Sequence, residues 1–498
     1  MCRRAISGQR MRLHLVIGIS TFIIFILMVF VVDAAPINSI DLSNLDDVIQ
    51  GQMEKHGLPG VAIAIVDGDD IVYLQGYGVA GHDRPMTPQT PMFIGSQSKS
   101  FTALAIAQLA DQGRLDLDSP VQAYIPWFRV ADQEASRMIT IRHLLNHSSG
   151  LSDAGFSMVL SNNTSLEESI RALEKARLTA PVGSKHQYFN MGYSVLAYLI
   201  ETISGESYAD YIKTHILTPL GMENTTADPE SAMNVAQGYS RMFGFAFPRS
   251  QPIPEYAVGA GYIISTAEDM ARYAIAMKND GEGLVSKQMG RKIFLPGQGS
   301  YGFGWFIVDN GSKIFHGGAN ETFRTDVNLY PRDMRAFVLL INQGHQVDHF
   351  VSAVQLRDSV EAIVRGRSPQ PLSQGWSVRW VGWGLGVLTL GLVLLHVHNF
   401  LGLRSWTKRA MNMPKSKRIM DIGISFLIPT IILLVVLSQV RGFYGDRFNL
   451  WPTLVNLRLV MPDVFVLMLV GTIPDYIQGI TKIILWQKSK TSHQLSNP

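Results

Sequence analysis

Hydrophobic residues follow two different spacings along the chain, and each spacing predicts one kind of element. Helical spacing marks residues 42–56, most of 96–277, and 348–364. Alternating or continuous apolar positions predict strands at 61–66, 71–77, 304–308, 313–315, 323–330 and 335–341. The first two of these strands flank Gly68, so they predict a β-hairpin. The pattern alone therefore predicts a domain of mixed α and β structure.

Longer apolar runs lie outside that domain. Residues 15–32 follow four arginines and have bilayer-spanning length, which is typical of an export signal. Three more runs, 381–403, 419–440 and 459–480, predict transmembrane helices. The chain is thus divided into 1–35, a signal peptide or signal anchor; 36–366, one folded domain; 367–379, a linker; and 380–498, a membrane domain with about three transmembrane helices. Asp463 and Asp475 in the third run fit a polar pathway or a weakly apolar span packed against its neighbours.

Charge divides the chain in the same way. Six Lys and Arg and no acidic residue lie between the first two of the three C-terminal runs, and the positive-inside rule makes that loop cytoplasmic. Residues 36–370 are then extracytoplasmic. They hold 26 Lys and Arg against 35 Asp and Glu, so the overall charge of +3 hides an acidic domain that is a poor partner for nucleic acid. The only cysteine, Cys2, excludes internal disulfides.

A Ser-x-x-Lys motif at Ser96 and Lys99 is the strongest chemical signal. It begins an apolar helical pattern, so the two residues share one face and Lys99 Nζ can reach Ser96 Oγ. A serine hydroxyl needs a base, and a lysine serves as one only when its surroundings lower its pKa. The alternative is a helix cap beside a solvated charge. A second match, at Ser405 and Lys408, stands in a predicted basic loop, and we ascribe it to chance.

A Tyr-x-Asn motif follows, from Tyr188 to Asn190, on a predicted loop before a helical pattern. The phenol of Tyr188 can shuttle a proton if Lys99 lowers its pKa, and Asn190 can hydrogen-bond a substrate amide. A buried tyrosine beside a turn asparagine is the alternative interpretation.

A His-Gly-Gly motif, His316, Gly317 and Gly318, ends a strand-like run. Glycines in a strand pattern indicate close approach by a ligand or a neighbouring chain. A substrate backbone can pair along this edge, and the N–H of Ala319 can complete an oxyanion hole with the N–H of Ser96. Structural glycines at a β-bulge explain the motif equally well.

In this order, Ser-x-x-Lys, Tyr-x-Asn and His-Gly-Gly resemble the motif set of the serine β-lactamase and penicillin-binding-protein superfamily. Residues 141–151, 219–222 and 261–269 are similar to recurring segments of its class C β-lactamase, DD-peptidase, D-aminopeptidase and esterase branch. The resemblance covers roughly residues 42–365. It implies an α/β fold, an antiparallel sheet flanked by helices beside a helical lobe, with Ser96 in the cleft between sheet and lobe.

The resemblance also implies roles for the motif residues. These roles are catalysis by Ser96, Lys99 and Tyr188, an oxyanion hole from the N–H groups of Ser96 and Ala319, and substrate binding by Asn190, His316, Gly317 and Gly318. Most β-lactamases have a lysine where this chain has His316, and a neutral imidazole holds a carboxylate less strongly. We therefore expect little β-lactam hydrolysis and predict a D-amino-acid peptidase. The alternatives are an esterase, a weak β-lactamase, and a β-lactam or peptidoglycan sensor without turnover.

His143 and His147 have the spacing of two metal ligands on one helix face. A zinc protease of that pattern needs a glutamate after the first histidine, where this chain has Leu144, and no third ligand is evident. We predict a structural segment there and expect no metal or organic cofactor. The expected partners are a small peptide, ester or β-lactam substrate and the membrane.

Overall fold

The computed structural model describes residues 40–156, 160–372, 376–444, 454, 457–459 and 461–495. The predicted signal or anchor segment, residues 1–35, lies outside the described residues.

A seven-stranded antiparallel sheet forms the centre of the domain, in the order β3-β2-β1-β11-β10-β9-β8. These strands are β1 (Gly60–Asp67), β2 (Asp70–Gly81), β3 (Arg84–Pro85), β8 (Phe306–Val308), β9 (Lys313–Ala319), β10 (Arg324–Tyr330) and β11 (Arg335–Ile341). Strands from the two ends of the domain meet where β1 pairs with β11. This confirms the predicted antiparallel sheet. Strand β9 is longer than predicted and includes His316, Gly317 and Gly318.

Helices cover both faces of the sheet. They are α1 (Leu45–His56), α2 (Ser98–Asp111), α3 (Gln133–Met138), α4 (Ile141–Leu145), α5 (Leu166–Arg171), α6 (Asn190–Ser204), α7 (Tyr208–Ile212), α8 (Val258–Gly261), α9 (Ala267–Lys278), α10 (Lys287–Ile293), α11 (Gln346–Phe350) and α12 (Ser352–Val364). Helix α9 packs on β1 and β11, while α12 packs on α1 and β11. Every residue of α2 from Ser98 to Leu109 is buried, so this helix is the core of the helical lobe.

Two predictions about these elements were wrong in detail. The closing helix is broken at Val351, which separates α11 from α12. The predicted helical middle, residues 96–277, also contains strands: β5 (Tyr239–Met242) forms a hairpin with β6 (Phe245–Pro248), and β7 (Ile264–Ser265) pairs with β4 (Met92–Phe93), which lies just before this region.

Among the described residues of the C-terminal part, the structure has the helices α13 (Val378–Met411), α14 (Lys415–Tyr444), α15 (Pro462–Val470) and α16 (Ile473–Leu495). Its segments Val378–Leu403, Lys415–Ser438 and Pro462–Lys488 are long and apolar enough to cross a membrane. The predicted basic loop is wrong: α13 continues to Met411, so Ser405 and Lys408 lie within a helix.

The aspartates of the third segment have buried partners. Asp463 lies 3.3 Å from His345 Nε2, and Asp475 lies 3.4 Å from His396 Nδ1. These pairs favour a packed, weakly apolar segment over an open polar pathway.

Candidate active site

Ser96 lies in a 3₁₀ turn, Gly95–Gln97, directly before α2. The prediction that it begins the helix is therefore wrong by two residues, but Lys99 in the first turn of α2 still reaches it, with Nζ 3.1 Å from Ser96 Oγ. Ser98 fixes the turn, because its hydroxyl donates to the Gly95 carbonyl at 2.8 Å and accepts from the Ile263 N–H at 3.0 Å. Ser96 is partly exposed and can meet a substrate.

Lys99 is completely buried. Its Nζ donates to the Ala260 carbonyl at 2.5 Å and lies 4.8 Å and 5.7 Å from the ring centres of Tyr188 and Tyr193. Burial lowers the pKa of Lys99 well below its usual value, and the charge of Asp153 opposes this only in part. The amine is therefore poised to be neutral, as a general base must be.

Two glycines bring the Ser96 turn directly against strand β9. Gly95 has a φ of +57°, and a Cβ added to it would lie 2.4 Å from the backbone nitrogen of Ala319. A Cβ on Gly318 would lie 2.0 Å from the carbonyl oxygen of Ile94. The close approach expected at Gly318 is thus made by a neighbouring segment of this chain. Around Gly317 there is more space, since an added Cβ would meet Asp326 Oδ1 at 3.4 Å.

His316 lies in β9 with its ring buried. Nδ1 is 2.7 Å from the Gly317 carbonyl, which only accepts, so Nδ1 carries the hydrogen and Nε2 accepts from the Tyr301 hydroxyl at 3.0 Å. Burial, together with the charge of Lys99, lowers the pKa of His316 to about 3. The imidazole is therefore neutral at physiological pH. Whether His316 positions a substrate stays a prediction.

Tyr188 and Asn190 lie where an extended segment meets α6. The half-buried ring of Tyr188 has its centre 4.3 Å from that of His147 and 6.5 Å from that of His316. Asn190, the first residue of α6, is exposed. The structure therefore brings Tyr188 to the Ser96 and Lys99 pair and leaves the Asn190 side chain at the surface.

His147 supports this arrangement and was not predicted as a site residue. Its carbonyl accepts from the Gln187 N–H at 2.6 Å, and its Nδ1 accepts from the Phe189 N–H at 3.2 Å, so it holds both neighbours of Tyr188. Helix α4 ends at Leu145, and the Nδ1 of His143 accepts from the Thr140 N–H in a capping box. His143 and His147 therefore do not share a helix face. Within the described ranges, no three His, Cys, Asp or Glu are grouped to hold a metal.

Sequence reasoning also missed the carbonyl of Ala260 and the hydroxyl of Tyr301. A backbone acceptor has no signature in the sequence. Tyr301 lies outside all three motifs, and only the fold brings its hydroxyl to His316.

An antiparallel sheet beside a helical lobe, with a Ser-x-x-Lys pair between them, defines the β-lactamase-like class of serine hydrolase folds. The family model for Beta-lactamase matches residues 45–361, and the chain belongs to this family.

The chain is also similar to three known proteins. The chain is 29% identical over 314 residues to protein flp of Staphylococcus aureus (strain MW2), a match that spans 60% of this chain and 62% of flp. An octameric penicillin-binding protein homologue from Pyrococcus abyssi has a TM-score of 0.58 at 29% identity, covering 66% of this chain and 78% of its own. The D-amino acid amidase of Ochrobactrum anthropi shares the fold, with a TM-score of 0.56 at 23% identity over 65% of this chain and 99% of its own.

Proposed function

We propose that this protein is a membrane-anchored serine hydrolase that forms an acyl-enzyme at Ser96 outside the cytoplasmic membrane. The observation that carries the proposal is the 3.1 Å separation between Ser96 Oγ and the buried amine of Lys99. The Ala260 carbonyl can only accept, so it takes one N–H of this amine. The lone pair of the neutral amine is left to receive the Ser96 hydroxyl proton.

The acyl-transfer steps follow from this arrangement. Ser96 Oγ attacks the substrate carbonyl while Lys99 takes its proton, and the N–H groups of Ser96 and Ala319 hold the oxyanion. Tyr188 passes the proton to the leaving amine or alcohol as the C–N or C–O bond breaks. Water then attacks the acyl ester and gives its proton to Lys99 and Tyr188, which return a proton to Ser96 Oγ as the bond between the acyl carbon and Oγ breaks. Asn190 and His316 position the substrate, and no cofactor takes part.

We propose a D-amino-acid peptide as the substrate class. A neutral His316 is a weak anchor for the carboxylate of a β-lactam. An esterase or a weak β-lactamase would use the same Ser96 chemistry, and relative rates on D-alanyl peptides, esters and cephalosporins separate the three.

A second candidate function is a sensor that is acylated without turnover. It is supported by the His345 and Asp463 pair, which joins the domain to the third apolar segment. Arg249 of the domain also donates to the carbonyl of Leu459, three residues before that segment, at 2.6 Å. Acylation could reach the apolar helices through such contacts. A long-lived adduct would favour this function over hydrolysis.

Intact-mass analysis of the full chain in detergent tests both functions. A fluorophosphonate should add one adduct to the wild-type protein and none to Ser96→Ala. An acyl adduct formed by a D-alanyl ester that decays within minutes indicates a hydrolase, while one that persists for hours indicates a sensor. A wild-type protein that takes up neither reagent would contradict both.

A further inference from the structure

The β5–β6 hairpin has no part in the proposed chemistry. Its strands are joined by Phe243 and Gly244, which both have positive φ, +49° and +84°, as in a type I′ turn. Met242 pairs directly with Phe245, so the tip is narrow. Apart from Gly244, the residues from Phe243 to Phe247 are partly or fully exposed and mostly apolar, although they belong to the folded domain.

The tip packs against the first apolar segment. A Cβ added to Gly382 would lie 2.1 Å from the backbone nitrogen of Gly244, so the two backbones touch there. One helical turn later, a Cβ on Gly386 would lie 3.2 Å from Cβ of Phe243. The ring of Phe245 lies 6.3 Å from that of Trp383. Gly382 and Gly386 thus form a flat face of α13 that receives the hairpin.

The position of the hairpin contact along α13 determines how deep the contact lies in the bilayer. The segment Val378–Leu403 has 26 residues, about 39 Å at 1.5 Å per residue, against a hydrocarbon core of about 30 Å. When the segment is centred in the bilayer, about three residues at each end lie outside the hydrocarbon. Gly386 is eight residues into the helix and is then about one turn below the hydrocarbon surface.

Exposed aromatic side chains surround the contact. Phe245 is 62% exposed and Trp380 is 67% exposed. Aromatic residues at this level are typical of the membrane interface, whereas a solvent-facing turn of a soluble domain rarely has them. Both side chains continue the apolar surface of α13, on which Val381 is 43% exposed and Val387 is 73% exposed.

We propose that the β5–β6 tip is inserted into the outer leaflet beside the first span and holds the hydrolase domain on the lipid surface. This inference rests on the membrane anchoring in the proposed function. Insertion of the tip also places the catalytic end of the sheet next to the bilayer. At that end Ala319 pairs with Arg324, and Arg324 pairs with Ile341. The next residue, Asn342, accepts from the backbone N–H of Tyr239 in β5 at 2.9 Å, so the hairpin starts at this end of the sheet.

Depth-dependent quenching tests the insertion in the full chain reconstituted in lipid nanodiscs. In a Cys2→Ser background, Phe245→Cys is labelled with an environment-sensitive fluorophore and exposed to lipids with a shallow nitroxide or to aqueous iodide. The matched control is Met334→Cys, an exposed apolar residue of the β10–β11 turn at the opposite end of the sheet. Val387→Cys in the first span serves as the positive control.

We expect lipid nitroxide to quench the Phe245 label at least twofold more than the Met334 label, and iodide to show the reverse order. Iodide quenching of the Phe245 label equal to that at Met334 would overturn the insertion. Protection from both quenchers would also overturn it, because a protein partner or a second copy would then cover the tip.

Two further readouts separate this inference from the proposed function. Fluorophosphonate labelling of Ser96 in the same samples reports on the hydrolase, whatever the depth of Phe245. A Val387 label that lipid nitroxide does not quench would overturn the anchoring itself and, with it, the insertion.

Discussion

Lys99 Nζ and Ser96 Oγ lie 3.1 Å apart, with the amine completely buried and the hydroxyl partly exposed. This asymmetry matters because the two groups need opposite surroundings. Desolvation keeps the amine basic but uncharged, whereas the nucleophile must reach a substrate from solvent. The junction between the 3₁₀ turn and α2 supplies both conditions within four residues of sequence.

Ser96→Ala should abolish covalent labelling by a fluorophosphonate, because it removes the hydroxyl that lies 3.1 Å from the buried amine of Lys99. Ser405→Ala is the matched control, since it changes the other Ser-x-x-Lys match, which lies within α13. It should label at the wild-type rate. Intact mass measures both. Equal labelling of the Ser96→Ala protein would contradict the assignment of the nucleophile.

The labelling rate of Ser96 should rise with pH through a single titration well below 10.5, the usual pKa of a lysine. The rate rises with pH because Lys99 acts as the general base: below its pKa the amine holds a proton and cannot accept another, and above its pKa the neutral amine can. Lys99→Met should lower the rate by about 10²-fold or more. Lys278→Met replaces another buried lysine, paired with Asp69, and should keep the rate per folded molecule. A flat pH profile would argue against Lys99 as the base.

Tyr188→Phe should lower turnover by about 10²-fold while the protein stays folded, because the ring still packs on His147 and only the proton carrier is lost. Tyr208→Phe is the control. Its hydroxyl lies 2.7 Å from Thr102 Oγ1 in the core, so its loss should cost about 1 kcal/mol of stability and leave turnover intact. Melting temperatures and turnover rates distinguish the two. Near-normal turnover in Tyr188→Phe would assign the whole proton transfer to Lys99.

His316→Lys should speed β-lactam acylation by about tenfold, which corresponds to about 1.4 kcal/mol of added carboxylate binding. The reason is that a permanent cation replaces an imidazole whose pKa is only about 3. His316→Gln keeps a neutral side chain and should give no gain. Acylation rates with a chromogenic cephalosporin measure the effect. A wild-type protein that hydrolyses cephalosporins faster than D-alanyl peptides would refute the argument from His316.

A reporter fused after Met411 should behave as cytoplasmic and one fused after Gln370 as external. Six basic residues and no acidic residue lie between positions 404 and 418, around the first of these points, and such basic segments are retained on the cytoplasmic side. Paired phosphatase and fluorescent-protein fusions at both points measure the topology. The reverse pattern would place the hydrolase domain inside the cell.

Much of the site was visible in the sequence because its chemistry is concentrated in short motifs. Ser96 and Lys99 are three residues apart, and their contact needs only one turn of helix. Six of the seven strands of the sheet were also predictable, since each has a run of apolar positions, whereas β3, Arg84–Pro85, has none. The His-Gly-Gly glycines were open to two interpretations, and the contact of Gly318 with Ile94 became evident only when a distant segment was in place.

The β5–β6 hairpin could not be predicted because its turn breaks the usual rules. A type I′ turn favours Asn or Asp before Gly, and here Phe243 takes the left-handed conformation. Its side chain is held by Gly386, about 140 residues further along the chain. Tertiary contact therefore stabilises a backbone state that local sequence disfavours.

The prediction of a loop in the basic segment after the first span was wrong for a different reason. A cluster of basic residues predicts on which side of the membrane a segment lies, but it does not end a helix.

Only thirteen residues connect the end of α12 at Val364 to the start of α13 at Val378. Even fully extended, a chain of that length reaches about 45 Å, so an anchored domain cannot sample the bulk fluid. For a substrate held in the same bilayer, encounters would depend on lateral diffusion and on molecules per unit area of membrane. Diluting the cells would then leave the rate unchanged, while diluting the substrate with other lipids would lower it.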